Sequence, residues 1–134
     1  MAVTADERVK SGESFSLVSM LNVLDRCASP QRLCRAAHQL LRDKGHLLLA
    51  IPLPFMASYY GPETKWSGKP VETVQLSGSS HETWESDAQV LLEDFLPSCG
   101  FQPIAVSRLP YLSGGDEEDG CIELDDIVVL ARKT

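Results

Sequence analysis

The sequence predicts an α/β protein built as half of a doubly wound sheet. Three observations lead there: two short, almost wholly apolar segments at 15–24 and 46–52, an amphipathic helical pattern between them, and a further helix–strand–strand succession after a long connection. Strands covered on both faces of a parallel sheet read as near-continuous apolar runs, and their alternation with helices is how such sheets are wound.

Each element has its own signal. Residues 1–14 are polar and of mixed charge, so they are expected to be a frayed lead-in to a domain at 15–134. The run FSLVSMLNVL at 15–24 is the first expected strand, with Asn22 and Asp25 at its carboxyl end. Ser29 and Pro30 supply an N-cap and a first-turn proline, and Leu33, Ala36, Ala37, Leu40 and Leu41 recur at helical spacing until Gly45 stops the helix. HLLLAIP at 46–52 reads as a second buried strand. The stretch LPFMASYYGPETKWSGKP exceeds the ~12–15 residues of ordinary connections, and its aromatics favour a folded loop or hairpin over a cleft, followed by a short strand at 71–76. Ala88, Leu91, Leu92 and Phe95 predict a helix at 84–96 that ends before Pro97 and Gly100. A strand at 101–109, an acidic connection at 110–120 and a last strand at 127–131 complete the order. Ligands of such sheets bind beyond the carboxyl ends of the strands, here at 22–27 and 52–54.

Composition narrows the function classes. The 134 residues carry 12 Lys+Arg against 19 Asp+Glu, a formal charge of −7, and a pI near 4.8. That leaves no basic surface for nucleic acid or an anionic membrane. The longest apolar run is broken by Pro52 and Pro54 and falls short of the roughly 20 residues of a spanning helix, and MAVTADERVK has no apolar core or small-residue cleavage site, so no secretory signal is expected. The compartment expected is therefore intracellular and cytoplasmic by default. Cys27, Cys34, Cys99 and Cys121 form no C-x-x-C pair and have no histidine at zinc spacing, so no metal is expected and all four are read as structural. His38, His46 and His81 come without a G-x-S-x-G elbow, and neither a G-x-x-x-x-G-K-[ST] nor a G-x-G-x-x-G loop occurs.

The strand FSLVSMLNVLDRC, the pair ending RDKGHLLLAIPLP and the LPSCGF junction together resemble the C-terminal half of a class I, Rossmann-like S-adenosylmethionine-dependent methyltransferase. At finer grain L-N-x-L-D-R-C at 21–27, L-P-F at 53–55, K-W at 65–66, K-P at 69–70, R-L-P-Y-L at 108–112 and L-D-D at 124–126 resemble, in order, the DREV family. The resemblance implies a sheet supplying strands 4-5-7-6 of the family order 3-2-1-4-5-7-6. The family's glycine-rich cofactor loop and the acid after its second strand precede this segment, so the expectation is a partial domain with an incomplete S-adenosylmethionine site and an apolar edge open to pairing or oligomerisation.

The implied activity is methylation of the pros nitrogen of histidine in His-x-His segments of protein substrates. On that implication Asp25 orients or charge-balances the substrate imidazole, Asn22 hydrogen-bonds it, and Leu21 and Asn22 touch the cofactor. The residues alone read as a strand end for Asn22 and a turn ahead of the Ser29 cap for Asp25. Arg26 either binds an acidic substrate group or pairs with a neighbouring carboxylate. Tyr111 either lines a peptide groove or is a buried tyrosine with a satisfied hydroxyl, and Trp66 walls the cleft or covers the sheet edge. Asp125 and Asp126 read as solvated turn residues. Ser16 stands where the family has aspartate, and Cys121 and Ile122 where it has two tyrosines. For the whole family member, the endoplasmic reticulum or mitochondrion is also open. The alternative from a different class is a non-catalytic half-domain that binds another protein through its strand edge.

Overall fold

The computed structural model describes residues 12, 14–56, 83–114 and 120–134. The expected strand at 71–76, Trp66 and nearly all of the 1–14 lead-in lie outside the described residues. In order come strand β1 (Phe15–Leu21), a 3-10 turn (Leu24–Arg26), helix α1 (Pro30–Leu40), strand β2 (Leu41–Pro52), helix α2 (Trp84–Val90), a π-helical stretch (Leu91–Phe95), a short helix α3 (Leu96–Ser98), strand β3 (Phe101–Gly114) and strand β4 (Cys121–Lys133). The strands make one mixed sheet in the order β1-β2-β4-β3, which is the expected 4-5-7-6. β1 runs parallel to β2, whereas β4 is antiparallel to both β2 and β3.

α1 begins where the cap signals place it: the Ser29 hydroxyl accepts from the Arg32 N–H at 3.4 Å, with Pro30 in the first turn. It ends at Leu40, five positions before Gly45. Leu41 is already extended at φ −81° and ψ 135° and is buried in the core. Burial of Leu41 draws the chain into the sheet, and Gly45 serves the bulge that shifts the β1–β2 register between Leu41 and His46. Lys44 there has φ 59°, and a Cβ on Gly45 would lie 2.9 Å from the Arg42 carbonyl oxygen. The second helical segment starts in a reciprocal cap between Thr83 and Ser86 and runs to Ser98. It passes the expected end because Pro97 sits in the first turn of α3, where no N–H is needed. The LPSCGF junction closes on Gly100, whose φ is +84° and whose Cβ, if present, would lie 2.7 Å from His38 Nε2. No larger residue fits both the left-handed backbone and that contact.

Alternate strand positions fill one core. Leu47, Leu49 and Ile51 of β2 and Ile127, Val129 and Ala131 of β4 join Cys34 and Ala37 of α1 with Ala88, Leu91, Phe95 and Leu96 of the second helical segment. The Cys34 and Cys99 thiols hydrogen-bond across the helices, which draws the Cys99 thiol down to about 7 and pushes that of Cys34 up. Cys121, in contrast, is exposed, so it is no core residue. On the opposite face, Leu17 and Leu21 of β1 are 52% and 56% exposed. The expectation of a strand covered on both faces fails for β1, since among the described residues β2 is its one neighbour and the helices pack on the other side of the sheet.

The two faces of β1 and β2 should respond differently to truncation. Leu49→Ala removes a fully buried side chain and should cost about 2–5 kcal/mol. Leu17→Ala should stay within about 0.5 kcal/mol. Chemical denaturation of both variants checks the contrast, and equal losses would contradict the one-sided core.

Candidate functional site

The site forms where β1 and β2 end and β4 begins. A cleft of about 380 Å³ is lined by Asp25 and Arg26 after β1, by Pro52, Leu53, Pro54 and Met56 at and after the end of β2, and by Glu123, Leu124 and Asp125 of β4. The sequence positions 22–27 and 52–54 thus converge as expected, and β4 closes the cleft from a distant part of the chain. The wall after β2 is pinned twice. The Leu53 N–H donates to the Asp125 carbonyl at 3.0 Å, and the Phe55 N–H donates to the buried Asp87 carboxylate at 2.8 Å.

Asp25 reaches the cleft because of its local turn. Its neighbour Leu24 is fully buried, and the Arg26 N–H closes the 3-10 turn onto the Val23 carbonyl at 3.2 Å. The Asp25 carboxylate is only 5% exposed. Its Oδ2 lies 3.7 Å from Arg26 Nε, while Oδ1 is buried with no partner among the described residues. Burial pushes the carboxyl above its usual range, against the lowering effects of its own backbone and of Arg26. Arg26 is both a cleft residue and the ion-pair partner of Asp25.

Asn22 and Tyr111 meet each other rather than the cleft lining. Asn22 adopts a left-handed φ of 53°, and its N–H donates to the Ala50 carbonyl at 2.8 Å. Its amide nitrogen donates to Asp126 Oδ2 at 2.7 Å and to the Ala50 carbonyl at 3.2 Å, and its amide oxygen accepts from the Tyr111 hydroxyl. The reverse orientation would face the amide oxygen with a carboxylate and a carbonyl. Leu21, the other expected cofactor contact, ends β1 with an exposed side chain.

Asp125 and Asp126 are not turn residues. β4 starts at Cys121, so both lie inside a strand, Asp125 paired with β3 and Asp126 with both β2 and β3. Asp126 is 3% exposed, and burial, with Asp25 and Asp125 nearby, raises its pKa despite the Asn22 hydrogen bond. Burial and Asp126 also raise that of Tyr111. On the helix side Arg108 Nη2 binds Asp125 Oδ2 at 2.6 Å and Nη1 binds Glu85 Oε1 at 2.9 Å. Its guanidinium lies 4.4 Å from the Trp84 ring centroid, and Trp84 Nε1 donates to the Asp125 carbonyl at 3.1 Å. Asp126, Glu123 and Arg108 are the site residues that sequence reading missed. The available signal was the acidic, glycine-containing segment between two stretches of strand character at 101–109 and 127–131. Cys121 and Ile122 are exposed at the start of β4. Among the described residues no group of three or more His, Cys, Asp or Glu could hold a metal ion, and no helix is long and apolar enough to cross a membrane.

A parallel pair followed by a reversed strand, with its cleft at the carboxyl ends, defines the C-terminal half of a doubly wound, Rossmann-like sheet. The family model described as DREV methyltransferase matches residues 2–133, and the chain belongs to that family. Two solved structures are similar in fold. One is a SAM-dependent methyltransferase from Methanosarcina mazei, 16% identical, with 90% of this chain and 60% of that chain covered at a TM-score of 0.49. The other comes from a study of the conversion of a disulfide bond into a thioacetal group during echinomycin biosynthesis, 9% identical, with 93% and 51% covered at a TM-score of 0.49. The chain thus spans between half and two thirds of the length of these structures.

The buried Asp25 carboxylate should make stability depend on pH with a defined sign. Burial lifts its folded-state pKa above the ordinary 3.8, so the folded chain holds the proton more tightly than the unfolded one. Stability therefore falls as pH rises from the unfolded value through the raised one. Asp25→Asn should melt higher than the wild type near neutral pH, with the advantage gone below about pH 4. Melting curves across that range check it, and an advantage that grows toward acid would contradict it.

Proposed function

We propose that this chain is the catalytic-face part of an S-adenosylmethionine-dependent protein-histidine methyltransferase that acts on the pros nitrogen of histidine in His-x-His segments. One observation carries the reading: Asp25 is buried at the carboxyl end of β1 with a carboxylate oxygen that has no partner among the described residues, in a cleft it shares with Asp125 and Glu123. A carboxylate with a vacant acceptor suits an imidazole N–H. By accepting from the tele N–H, Asp25 would hold the tautomer whose lone pair is on the pros nitrogen. The same contact would stabilise the positive charge that the ring gains on alkylation.

The residues also fit the methyl-donor end of the cofactor, because a sulfonium is a cation and the cleft lining brings Asp25, Glu123 and Asp125 together with Arg26, so that with Arg108 paired to Asp125 from the helix side the acids still outnumber the guanidinium groups. When bound, S-adenosylmethionine supplies a strongly electrophilic methyl group, so the protein's task is to position the nucleophile and fix its protonation state. Leu21 and Asn22 would flank the cofactor at the end of β1. Arg26, which lines the cleft, would contribute to the peptide side. In the whole protein, Asp25→Ala should lower the turnover of methyl transfer to a His-x-His peptide by about 10²-fold or more while cofactor affinity changes little. Mass spectrometry of the peptide with a parallel calorimetric titration checks this. Equal losses of turnover and affinity, or a methyl group on a residue other than histidine, would contradict the assignment.

A separate observation favours a second reading. Phe15, Leu17, Leu21 and Val23 are exposed on and just beyond β1, whose outer edge is unpaired among the described residues. Such an edge can accept a strand from another protein. On this reading the chain is a non-catalytic half-domain that binds another protein through its strand edge; with a second copy of the chain as that partner, Leu17→Glu combined with Leu21→Glu should shift it to monomer in sedimentation velocity. A wild-type chain that is monomeric at every concentration would count against it.

A further inference from the structure

Asp126 is a buried carboxylate for which the proposed chemistry has no direct use. Its Oδ2 receives the amide nitrogen of Asn22 at 2.7 Å, and its Oδ1 is buried with no partner among the described residues. Burying a carboxylate with only part of its acceptor capacity filled is costly, and an apolar side chain at this point of β4 would avoid that cost. The partner explains its presence. Asn22 is a non-glycine residue in the left-handed region, a conformation that asparagine tolerates and that needs support from its surroundings. Its amide supplies that support by tying three strands together at the end of the sheet. The nitrogen bonds Asp126 of β4 and the Ala50 carbonyl of β2, and the oxygen bonds the Tyr111 hydroxyl of β3. Three residues further on, the same turn delivers Asp25 to the cleft.

We infer that Asp126 is a positioning residue: its carboxylate fixes the orientation of the Asn22 amide and, through the left-handed turn at Asn22, the placement of Asp25 in the cleft. The catalytic consequence rests on the reading of the site as a methyl-transfer centre. The positioning itself does not. An acceptor is what the amide needs at this point, so asparagine can replace Asp126 whereas alanine cannot.

The test compares Asp126→Ala and Asp126→Asn with the wild type in the whole protein by two readouts. The first is the NMR signal of the Asn22 side-chain NH₂ group. Its two protons should be separated and slow to exchange in the wild type and in Asp126→Asn, and should collapse toward free-amide shifts in Asp126→Ala. The second is methyl transfer to a His-x-His peptide. Asp126→Ala should lose at least about tenfold in kcat with KM nearly unchanged, and Asp126→Asn should recover most of it. Tyr111→Phe removes the other tie while leaving the carboxylate in place, so it gives a second perturbation of Asn22 should Asp126→Ala fail to fold. An Asn22 amide signal indifferent to Asp126→Ala, or in that event to Tyr111→Phe, overturns the inference. So does a folded Asp126→Ala that keeps wild-type kcat. If the amide responds as expected and the wild type methylates no histidine, the positioning stands and the substrate assignment falls.

Discussion

The insertion of β4, reversed, between β2 and β3 is the constraint on which the site depends. In an all-parallel arrangement the carboxyl ends of β1 and β2 would meet only other carboxyl ends. Because β4 runs antiparallel to β2, its amino-terminal half lies beside Pro52 and the turn after β1. That brings Glu123, Leu124 and Asp125 to the cleft and Asp126 to Asn22. The same register gives the Leu53 N–H its acceptor on Asp125, so the wall after β2 and the acids of β4 are positioned by one backbone pairing.

The two faces of the sheet then divide the labour. Side chains alternate across a strand, so the consecutive residues Asp125 and Asp126 point opposite ways. Asp125 faces the helices and is clasped by Arg108, which also holds Glu85 and lies against Trp84. Asp126 faces the other side, where it accepts from the Asn22 amide, which in turn accepts from the Tyr111 hydroxyl. An exposed ion-pair cluster of the first kind contributes little stability on its own. Its effect is to lock the register of β3, β4 and α2 around the cleft. The network of the second kind is buried and has a structural consequence, because it supports a backbone conformation that asparagine would otherwise adopt at a cost.

Burial at the end of the sheet carries an electrostatic penalty that the core does not explain. Asp25, Asp125 and Asp126 each have a buried carboxylate oxygen without a partner among the described residues, and the charges of Asp25 and Asp125 add to the burial that raises the proton affinity of Asp126. Stability alone would not retain three such groups, since apolar replacements of similar volume are often neutral or stabilising. Their concentration at one end of the sheet, away from the apolar core of Leu47, Leu49, Ile127 and Val129, is the pattern expected where function opposes stability.

Local physics made much of this legible in the sequence. Ser29 and Pro30 mark the start of α1, the apolar runs mark β1 and β2, and the switch-point rule for doubly wound sheets points to the residues around Asp25 and Pro52. These signals depend on neighbours a few positions apart. The cover on β1, the early end of α1 and the burial of Asp126 depend on contacts between distant segments. Leu41 leaves the helix because a place in the core awaits it, and Leu17 and Leu21 of β1 are exposed because the helices share the other face. L-D-D at 124–126 reads as a polar turn in sequence, since nothing near it shows that β3 and β4 pair along their whole length. The sequence by itself determined the elements, their order and the end of the sheet at which the site lies. Only the tertiary structure decided which carboxylates are buried there and what holds them, because burial is a property of packing and not of composition.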